Sequence, residues 1–236
     1  MIGLIVLHKI LTHVDDNNYT LSTEELNGVI DILRKHGNVI DPADIRAKCN
    51  KPANSFVITF DDGTVDHYQH AMPVLKGQEV KAVFFVNPYA TGRDGYLNLD
   101  HLHHLQNAGY TIGSHSYRHA VLTTYSDEQI HRELERSIDA LKPIAGTIKW
   151  LAPPYGVYNK RVVNAAEKLG ITYFRTTRFG WNTSLVSNGM SMLNVFNVNR
   201  SFTLARLNRC LSSKLYYNLL HKTFMAKKLI RNWHPR

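Results

Sequence analysis

The stretch Ser55–Gly63, SFVITFDDG, places six uncharged residues directly before two carboxylates and a glycine. A short run rich in Val, Ile, Thr and Phe is typical of a strand that is buried on both faces. Asp61 and Asp62 follow where this strand ends, and Gly63 allows the chain to turn there. Because adjacent side chains of an extended segment point in different directions, the two carboxylates can serve different partners. The alternative interpretation of the last residues alone is an ordinary Asp-Asp-Gly turn.

Short apolar segments and amphipathic helices alternate on both sides of this stretch. Helix starts are predicted by the capping boxes Ser22/Glu25 and Ser126/Gln129, and a third helix is predicted from about 159 to 169. This alternation indicates one α/β domain, either a doubly wound sheet or a (β/α) barrel, with functional groups at the carboxyl ends of the strands. Besides 55–60, strands are predicted at 3–7, 82–86, 111–113, 149–152, 172–176 and 192–198.

The composition limits the possible partners and compartments. Twenty-eight Lys and Arg against nineteen Asp and Glu give a net charge of +9, which favours anionic surroundings without choosing among lipids, acidic glycans and nucleic acid. Cys49 and Cys210 lie far apart, so neither a disulfide framework nor a cysteine-ligated metal is expected. No stretch approaches ~20 apolar residues, and the N-terminus lacks the pattern of a signal peptide. We therefore expect a cytoplasmic protein, with peripheral contact at the inner membrane face left open.

A second motif, SHSYRH at 114–119, follows another apolar segment. His115 and His119, four residues apart, can converge on one ion if the chain turns helical after the strand. A denser group of three histidines within 101–104 lies on a predicted helix and is interpreted as solvated. One carboxylate of the Asp61–Asp62 pair and two imidazoles would supply three metal ligands and leave a position for water, as hydrolytic metal sites do. The other carboxylate would then accept the proton of that water.

These motifs resemble a known family. The segments TFDDG (59–63) and HSYRH (115–119) are similar to the first two motifs of the polysaccharide deacetylases, carbohydrate esterase family 4, and PPYG (153–156) is similar to the third. The resemblance covers roughly residues 3–200. It implies a distorted (β/α) barrel and a metal-dependent hydrolase that removes N-acetyl groups from N-acetylhexosamine units of a glycan or lipid-linked saccharide. Zinc is the expected ion, although nickel, cobalt and iron accept similar ligands; no nucleic-acid partner is expected.

The resemblance also implies a role for each matching residue. Asp61 is implied as the general base. Asp62, His115 and His119 are implied as the metal ligands. Tyr155 would donate its backbone N–H to the oxyanion that develops during hydrolysis. Since free carboxylates titrate near pH ~4, Asp61 can act as a base at neutral pH without a large shift in its pKa.

Two departures from the family pattern require replacements. Ala152 stands where the family has the arginine that pairs with the base, and Arg200, at the end of the last predicted strand, is the candidate substitute, with a surface arginine as the alternative. The late Leu-x-His motif that supplies the acid has only a poor match at 219–221. His8, directly after the first strand, is the candidate acid, because the poly-N-acetylglucosamine deacetylases take theirs from an N-terminal strand. A structural histidine is the alternative.

The aromatic residues and the C-terminal tail allow further predictions. Tyr155, Phe179 and Trp181 are candidate walls of a sugar-binding groove, and core packing is the competing explanation. The chain divides into a catalytic domain, 1–213, and a tail, 214–236, in which apolar residues alternate with Lys and Arg. This tail is predicted to be a basic amphipathic helix that either contacts an anionic membrane or packs on the barrel.

Two other functions remain open from the sequence. The fold also serves hydrolases of other linear or cyclic amides, and the alanine at position 152 is compatible with such a change of substrate. An inactive relative that binds an anionic polymer through the +9 charge is the alternative from another class, and its binding would weaken with salt. Retention of both the Asp-Asp pair and the two histidines argues against an inactive protein.

Overall fold

The computed structural model describes residues 1–232, with side chains as far as Phe224. The strands, in chain order, are β1 (Ile2–Leu7), β2 (Lys9–Leu11), β3 (Thr20–Ser22), β4 (Asn38–Val39), β5 (Ser55–Phe60), β6 (Ala82–Val86), β7 (Thr111–Ser114), β8 (Trp150–Leu151), β9 (Tyr173–Phe179) and β10 (Ser191–Asn197). The α-helices are α1 (Thr23–His36), α2 (Ile45–Lys48), α3 (Met72–Gly77), α4 (Leu99–Asn107), α5 (Asp127–Ala145), α6 (Lys160–Lys168), α7 (Leu204–Ser212) and α8 (Lys214–Asn232).

Seven parallel strands close into a barrel. Their order is β1-β10-β9-β8-β7-β6-β5, and β5 pairs with β1 from Ile2↔Ser55 to Leu7↔Phe60. The short β4 extends the sheet beside β5, and β2 and β3 form a separate two-stranded sheet. The fold is therefore the (β/α) barrel and not the doubly wound sheet. The seven strands predicted from the sequence are the seven strands of the barrel, each within three residues of its observed bounds.

Side-chain alternation along the strands directs polar residues into the barrel mouth. On β5, the even-numbered residues 56–60 pack under the helices, whereas Val57 belongs to the smaller cluster that fills the barrel. Continuing this alternation past the end of the strand turns Asp61 inward. The same alternation of side chains turns His8 inward after β1 and His115 inward after β7. Two candidate catalytic residues and one candidate metal ligand thus share the end of the barrel where the parallel strands finish.

The C-terminal helix packs on the barrel. Rings of Tyr217 and Phe224 on α8 lie against Phe179, with centroids 5.8 and 4.6 Å apart. Leu215 and Leu219 are 82% and 61% exposed on the other side of the helix. The described part of the tail therefore follows the packed alternative, and residues 233–236, which include Trp233, lie outside the described residues. Among the described helices, none combines the length and apolar content that crossing a bilayer requires.

Candidate active site

Three predicted metal ligands meet at the mouth of the barrel. Oδ1 of Asp62 lies 3.4 Å from Nε2 of His115 and 3.2 Å from Nε2 of His119. The ligand atoms of the three residues all lie within 4.8 Å of one another. The side chain of Asp62 is 37% exposed, so the cluster is open to solvent on one side. The structure therefore brings the predicted ligands together at an accessible position.

Left-handed backbone turns position these ligands. Of the six non-glycine residues with positive φ in the described part of the chain, four border the cluster. They are Asp62 at 79°, Ser116 at 59°, His119 at 58° and Tyr155 at 57°. Each such residue costs on the order of 1–3 kcal/mol, and such residues gather at functional sites. The two histidines thus converge through a strained turn and not through the helical turn that their spacing favours.

The donor set fits a divalent ion. Nδ1 of His115 lies 2.7 Å from the carbonyl oxygen of Ala152, which only accepts, so Nδ1 carries the proton and Nε2 presents its lone pair to the cluster. Nε2 of His119 is buried and has no hydrogen-bond partner among the described residues. Burial alone would raise the pKa of Asp62, but the adjacent histidine rings hold it well below its ordinary value. An anionic oxygen with two imidazole nitrogens is a typical ligand set for zinc and similar ions.

Asp61 lies beside this cluster but makes a separate contact. Its side chain is buried and forms an ion pair with the guanidinium of Arg175, which is only 2% exposed. Burial alone would raise the pKa of Asp61, but the charge of Arg175, supported by His115 and His8, holds that pKa below its ordinary value. Asp61 is therefore ionised at neutral pH. Its Oδ1 is buried without a hydrogen-bond partner among the described residues, so this oxygen is available to a bound molecule.

The arginine that pairs with Asp61 is Arg175, and the prediction of Arg200 is wrong. Nε of Arg200 donates to the carbonyl oxygen of Thr20 at 3.3 Å, and the backbone N–H of Arg200 donates to that of Asn18 at 2.9 Å. These bonds fix Arg200 to the start of β3 and to the loop before it. Arg175 on β9 thus takes the place of the arginine that is missing at position 152.

Arg175 carries a signal that sequence reasoning could have used. It lies within the predicted strand 172–176, between the fully buried Phe174 and Thr176. Tyr173 belongs to the cluster that fills the barrel, and alternation turns Arg175 to the same side. A charge inside a barrel needs a partner of opposite sign, and the Asp-Asp pair at the end of β5 is the obvious source of one.

His8 lies near Asp61, as predicted. Its Nε2 is 3.8 Å from Oδ2 of Asp61, and its side chain is 19% exposed. Burial lowers the pKa of His8 more than the charge of Asp61 raises it, so the imidazole is neutral near pH 7. The ring of Tyr19 packs against His8 with centroids 4.7 Å apart and is 44% exposed. Tyr19 is a lining residue that sequence reasoning missed, because nothing in the polar segment around it marks it.

Tyr155 borders the metal-ligand cluster, as predicted. Its side chain is 66% exposed, and its ring meets that of His119 edge-on with centroids 4.7 Å apart. Its backbone N–H makes no hydrogen bond to another described residue. The following Gly156 is required, because a Cβ there would lie 1.9 Å from Cγ2 of Thr177. The N–H of Tyr155 is therefore held in a fixed turn where it can donate to a bound oxygen.

The predicted role of Trp181 is wrong. Its indole packs on Phe56 and Phe196, with centroids 5.5 and 5.2 Å away. Phe56 lies near the start of β5, and Asp61 follows about 16 Å further along that strand. Phe179 is 8% exposed and packs under α8. Core packing, the competing explanation, accounts for both aromatics.

Comparison with known proteins agrees with this site. Residues 48–174, more than half of the 236, match the family model described as Polysaccharide deacetylase. The chain belongs to the polysaccharide deacetylase family. The matched residues include the Asp61–Asp62 pair, both histidines of the cluster and Tyr155. The part of the chain that matches the family model therefore contains most of the residues that form the site.

Individual relatives share part of their length with the chain. The Bacillus subtilis (strain 168) protein YxkH is 34% identical over 134 residues, which are 55% of this chain and 47% of YxkH. The peptidoglycan-N-acetylmuramic acid deacetylase PdaA of the same strain is 30% identical over 124 residues, 51% of this chain and 46% of PdaA. The chain spans less than half the length of these curated relatives. The Streptococcus pyogenes deacetylase PplD, solved with acetate, shares the fold, with a TM-score of 0.76 at 22% identity over 87% of this chain and 96% of PplD.

Proposed function

We propose that this chain is a metal-dependent hydrolase that removes N-acetyl groups from N-acetylhexosamine units of a glycan or lipid-linked saccharide. The observation that carries the proposal is the separation of two carboxylates at one site. Asp62 faces two imidazoles, whereas its neighbour Asp61 is bound to Arg175. This separation supports a metal-binding role for one carboxylate and a proton-accepting role for the other.

Asp62, His115 and His119 are the residues that would hold the ion, and zinc is the ion we propose. A divalent ion bound there supplies Lewis-acid polarisation of a carbonyl oxygen and lowers the pKa of water toward ~7. The protein supplies the geometry: the hydrogen bond between His115 Nδ1 and Ala152 fixes the ring and its tautomer.

Asp61 takes the proton of the attacking water. Its low pKa keeps it ionised, and Arg175 holds one of its oxygens so that the other remains free to accept. The acceptor is thus positioned before the substrate binds, which removes part of the entropic cost of the reaction. General-base catalysis of this kind contributes roughly 10²–10⁴ in rate.

Formation and collapse of the tetrahedral species each require a further contribution. The N–H of Tyr155 donates a hydrogen bond to the former carbonyl oxygen as that oxygen gains negative charge. The amide C–N bond breaks when its nitrogen gains a proton, and we assign this donation to His8. His8 lies beside the base, with its Nε2 3.8 Å from Oδ2 of Asp61. The imidazole takes up one proton and gives it to the leaving nitrogen, and Asp61 gives up the proton that it took from water, so both groups end as they began. The products are acetate and the free amine.

The choice of an N-acetylated sugar rests on the names of relatives and on the open site. PdaA is named for N-acetylmuramic acid, and another relative, from Pestalotiopsis, is named a chitin deacetylase. Exposed rings of Tyr19 and Tyr155 stand on either side of the catalytic groups, where they can pack on pyranose faces. Arg175 supplies the arginine contact to Asp61 that the alanine at position 152 cannot make. The alanine is therefore no longer an argument for a substrate with a different amide.

The test is acetate release from N-acetylglucosamine oligomers by the purified protein, with added zinc and with a chelator. We expect release that the chelator stops and zinc restores. Asp61→Asn should reduce it by about 10³, within the range for loss of a general base. Asp139→Asn, an exposed acid on α5, is the matched control and should leave release unchanged. Zinc-loaded protein that releases no acetate from N-acetylglucosamine or N-acetylmuramic acid oligomers would overturn the proposal.

A further inference from the structure

A row of alternating arginines and tyrosines lies beside the proposed active site. The guanidinium carbon of Arg93 is 3.8 Å from the ring centroid of Tyr89. Arg118 lies between the two rings, 5.7 Å from Tyr89 and 5.8 Å from Tyr117, and Arg136 lies 4.3 Å from Tyr117. All three arginines are exposed, and Tyr89 is 44% exposed. These five residues, here called the arginine–tyrosine row, form a continuous surface.

The loops that hold the metal-ligand cluster also hold this row. Tyr117 lies between the two histidine ligands in sequence, and its carbonyl oxygen accepts a hydrogen bond from the N–H of Tyr89 at 3.0 Å. Asn87, two residues before Tyr89, donates from Nδ2 to the carbonyl oxygen of Asp62 at 2.9 Å. The cluster and the row are therefore joined through the same loops, and a chain of sugars that extends from the cluster along these loops would reach the row.

The row is held in place by hydrogen bonds to the catalytic segments. The loop that carries Arg93 is tied to the residue after Asp62, because the N–H of Leu97 donates to the carbonyl oxygen of Gly63 at 3.0 Å. The N–H of Arg118 donates to Oε1 of Glu133 at 2.5 Å, and Glu133 is only 4% exposed. Preorganised groups lose less entropy when a ligand binds.

The charges of the row are largely uncompensated. Glu133 lies 3.9 Å from a guanidinium nitrogen of Arg118 and offsets one charge. Within the described residues, neither Arg93 nor Arg136 forms a salt bridge with an acid. The planar N–H edge of a guanidinium matches a carboxylate or phosphate. The row therefore presents two guanidinium groups and two tyrosine rings beside the loops that hold the cluster.

We propose that the arginine–tyrosine row is a subsite for an anionic saccharide, and that it binds a carboxylate- or phosphate-bearing sugar next to the N-acetylhexosamine that is hydrolysed. This inference rests on the proposed function and adds the substrate class. The tyrosine rings contact sugar faces, and Arg93 and Arg136 bind the anionic group. A saccharide fits better than a lipid surface because the row continues directly from the catalytic loops, where the same chain of sugars would extend.

The test compares two tetrasaccharides of equal length as substrates of the zinc-loaded protein. One contains only N-acetylglucosamine, and the other alternates N-acetylglucosamine with the carboxylate-bearing N-acetylmuramic acid. We expect the ratio of kcat/KM, anionic over neutral, to fall about three- to tenfold in the double variant Arg93→Gln/Arg136→Gln, the size of two exposed charge contacts. The double variant should change KM and not kcat. In the unaltered protein, raising the salt concentration should reduce the ratio of kcat/KM for the anionic over the neutral tetrasaccharide.

The control variant is Arg132→Gln, on the same helix as Arg136 but in the groove between α5 and α6. It should leave the ratio unchanged. Binding of both tetrasaccharides to an Asp61→Asn variant, measured by titration calorimetry, tests the subsite without turnover. An unchanged ratio and unchanged affinities in the double variant would overturn the subsite and leave the deacetylase proposal standing. No acetate release from either sugar would overturn the deacetylase proposal, and the binding comparison would still decide the subsite.

Discussion

The two ends of the barrel are built from the same strands but treat their polar groups differently. At the amino end, both polar atoms of the Asn182 side chain are hydrogen-bonded. Its Nδ2 donates to the carbonyl oxygens of Ile2 and Asn194 at 3.1 and 3.0 Å, and its Oδ1 accepts from the N–H of Asn194 at 2.7 Å. At the mouth, several buried polar atoms have no partner among the described residues: Nδ1 of His8, Oδ1 of Asp61, Nε2 of His119 and Nε of Arg175.

This difference separates stability from function. A buried polar atom without a partner costs about 1–3 kcal/mol, so a cluster of such atoms is typical of a functional site, where ligand, ion or ordered water supplies the partners. The mouth also carries four left-handed residues, which add to its cost. At the amino end, the polar atoms of the Asn182 side chain all have hydrogen-bond partners, so they carry no such energetic cost. We therefore expect substitutions at the mouth to reduce activity and substitutions at the amino end to reduce the free energy of unfolding.

The largest effect is expected for His119→Asn at the mouth. Asparagine tolerates the positive φ of this position, and the His119 side chain is still 24% exposed, so its replacement leaves no core cavity. Loss of a ligand should remove the contribution of the ion, several kcal/mol or on the order of 10³ in kcat/KM. Zinc binding and acetate release measure the loss, and urea unfolding of the metal-free protein should change by less than about 1 kcal/mol. A large loss of stability without metal would contradict the separation.

The next largest effect is expected for the ion pair of Arg175 and Asp61, which contributes both to activity and to the free energy of unfolding. Arg175→Met leaves a buried carboxylate uncompensated and should cost about 3 kcal/mol in urea unfolding. Arg175 holds the pKa of Asp61 down, so its loss raises that pKa. Activity that needs ionised Asp61 should then disappear at a higher pH than in the unaltered protein as the pH falls. A pH profile of kcat/KM measures this shift.

Arg200→Met is the matched control for this prediction. Arg200 bonds to the carbonyl oxygen of Thr20 and is not part of the site, so its removal should leave the pH profile unchanged. An unshifted profile in Arg175→Met, or a shifted one in Arg200→Met, would contradict the assignment of Arg175.

Features encoded by local pattern were predictable from the sequence. The seven barrel strands are short apolar runs, and the capping boxes Ser22/Glu25 and Ser126/Gln129 are both present. The histidines of 101–104 are predicted to be solvated, and His103 and His104 are exposed, whereas the half-buried ring of His101 caps α4 by accepting from the N–H of Asn98 at 3.3 Å. The cluster of Asp62 with the two histidines followed from motifs at two strand ends, since parallel strands bring such ends together.

Features that depend on pairing between distant segments were not predictable in the same way. Trp181 follows β9, and a residue after a strand is expected at the barrel mouth. The register of β9 and β10 shifts between Leu193 and Val195, and Gly180 has a φ of 140°. The chain therefore reverses, and Asn182 pairs with Ile2 at the other end. Neither the bulge nor this reversal has a local signature beyond one glycine.

The smallest effect is expected at the amino end, for Asn182→Ala. This change removes three side-chain hydrogen bonds and leaves the N–H of Asn194 without its partner, so we expect about 2 kcal/mol less free energy of unfolding. The kcat for acetate release, measured well below the unfolding midpoint, should stay the same, because about 16 Å of β-strand separates this end from Asp61. A fall in kcat together with stability would mean that the reversed segment after β9 also sets the position of Arg175, and the two ends of the barrel would then be mechanically coupled.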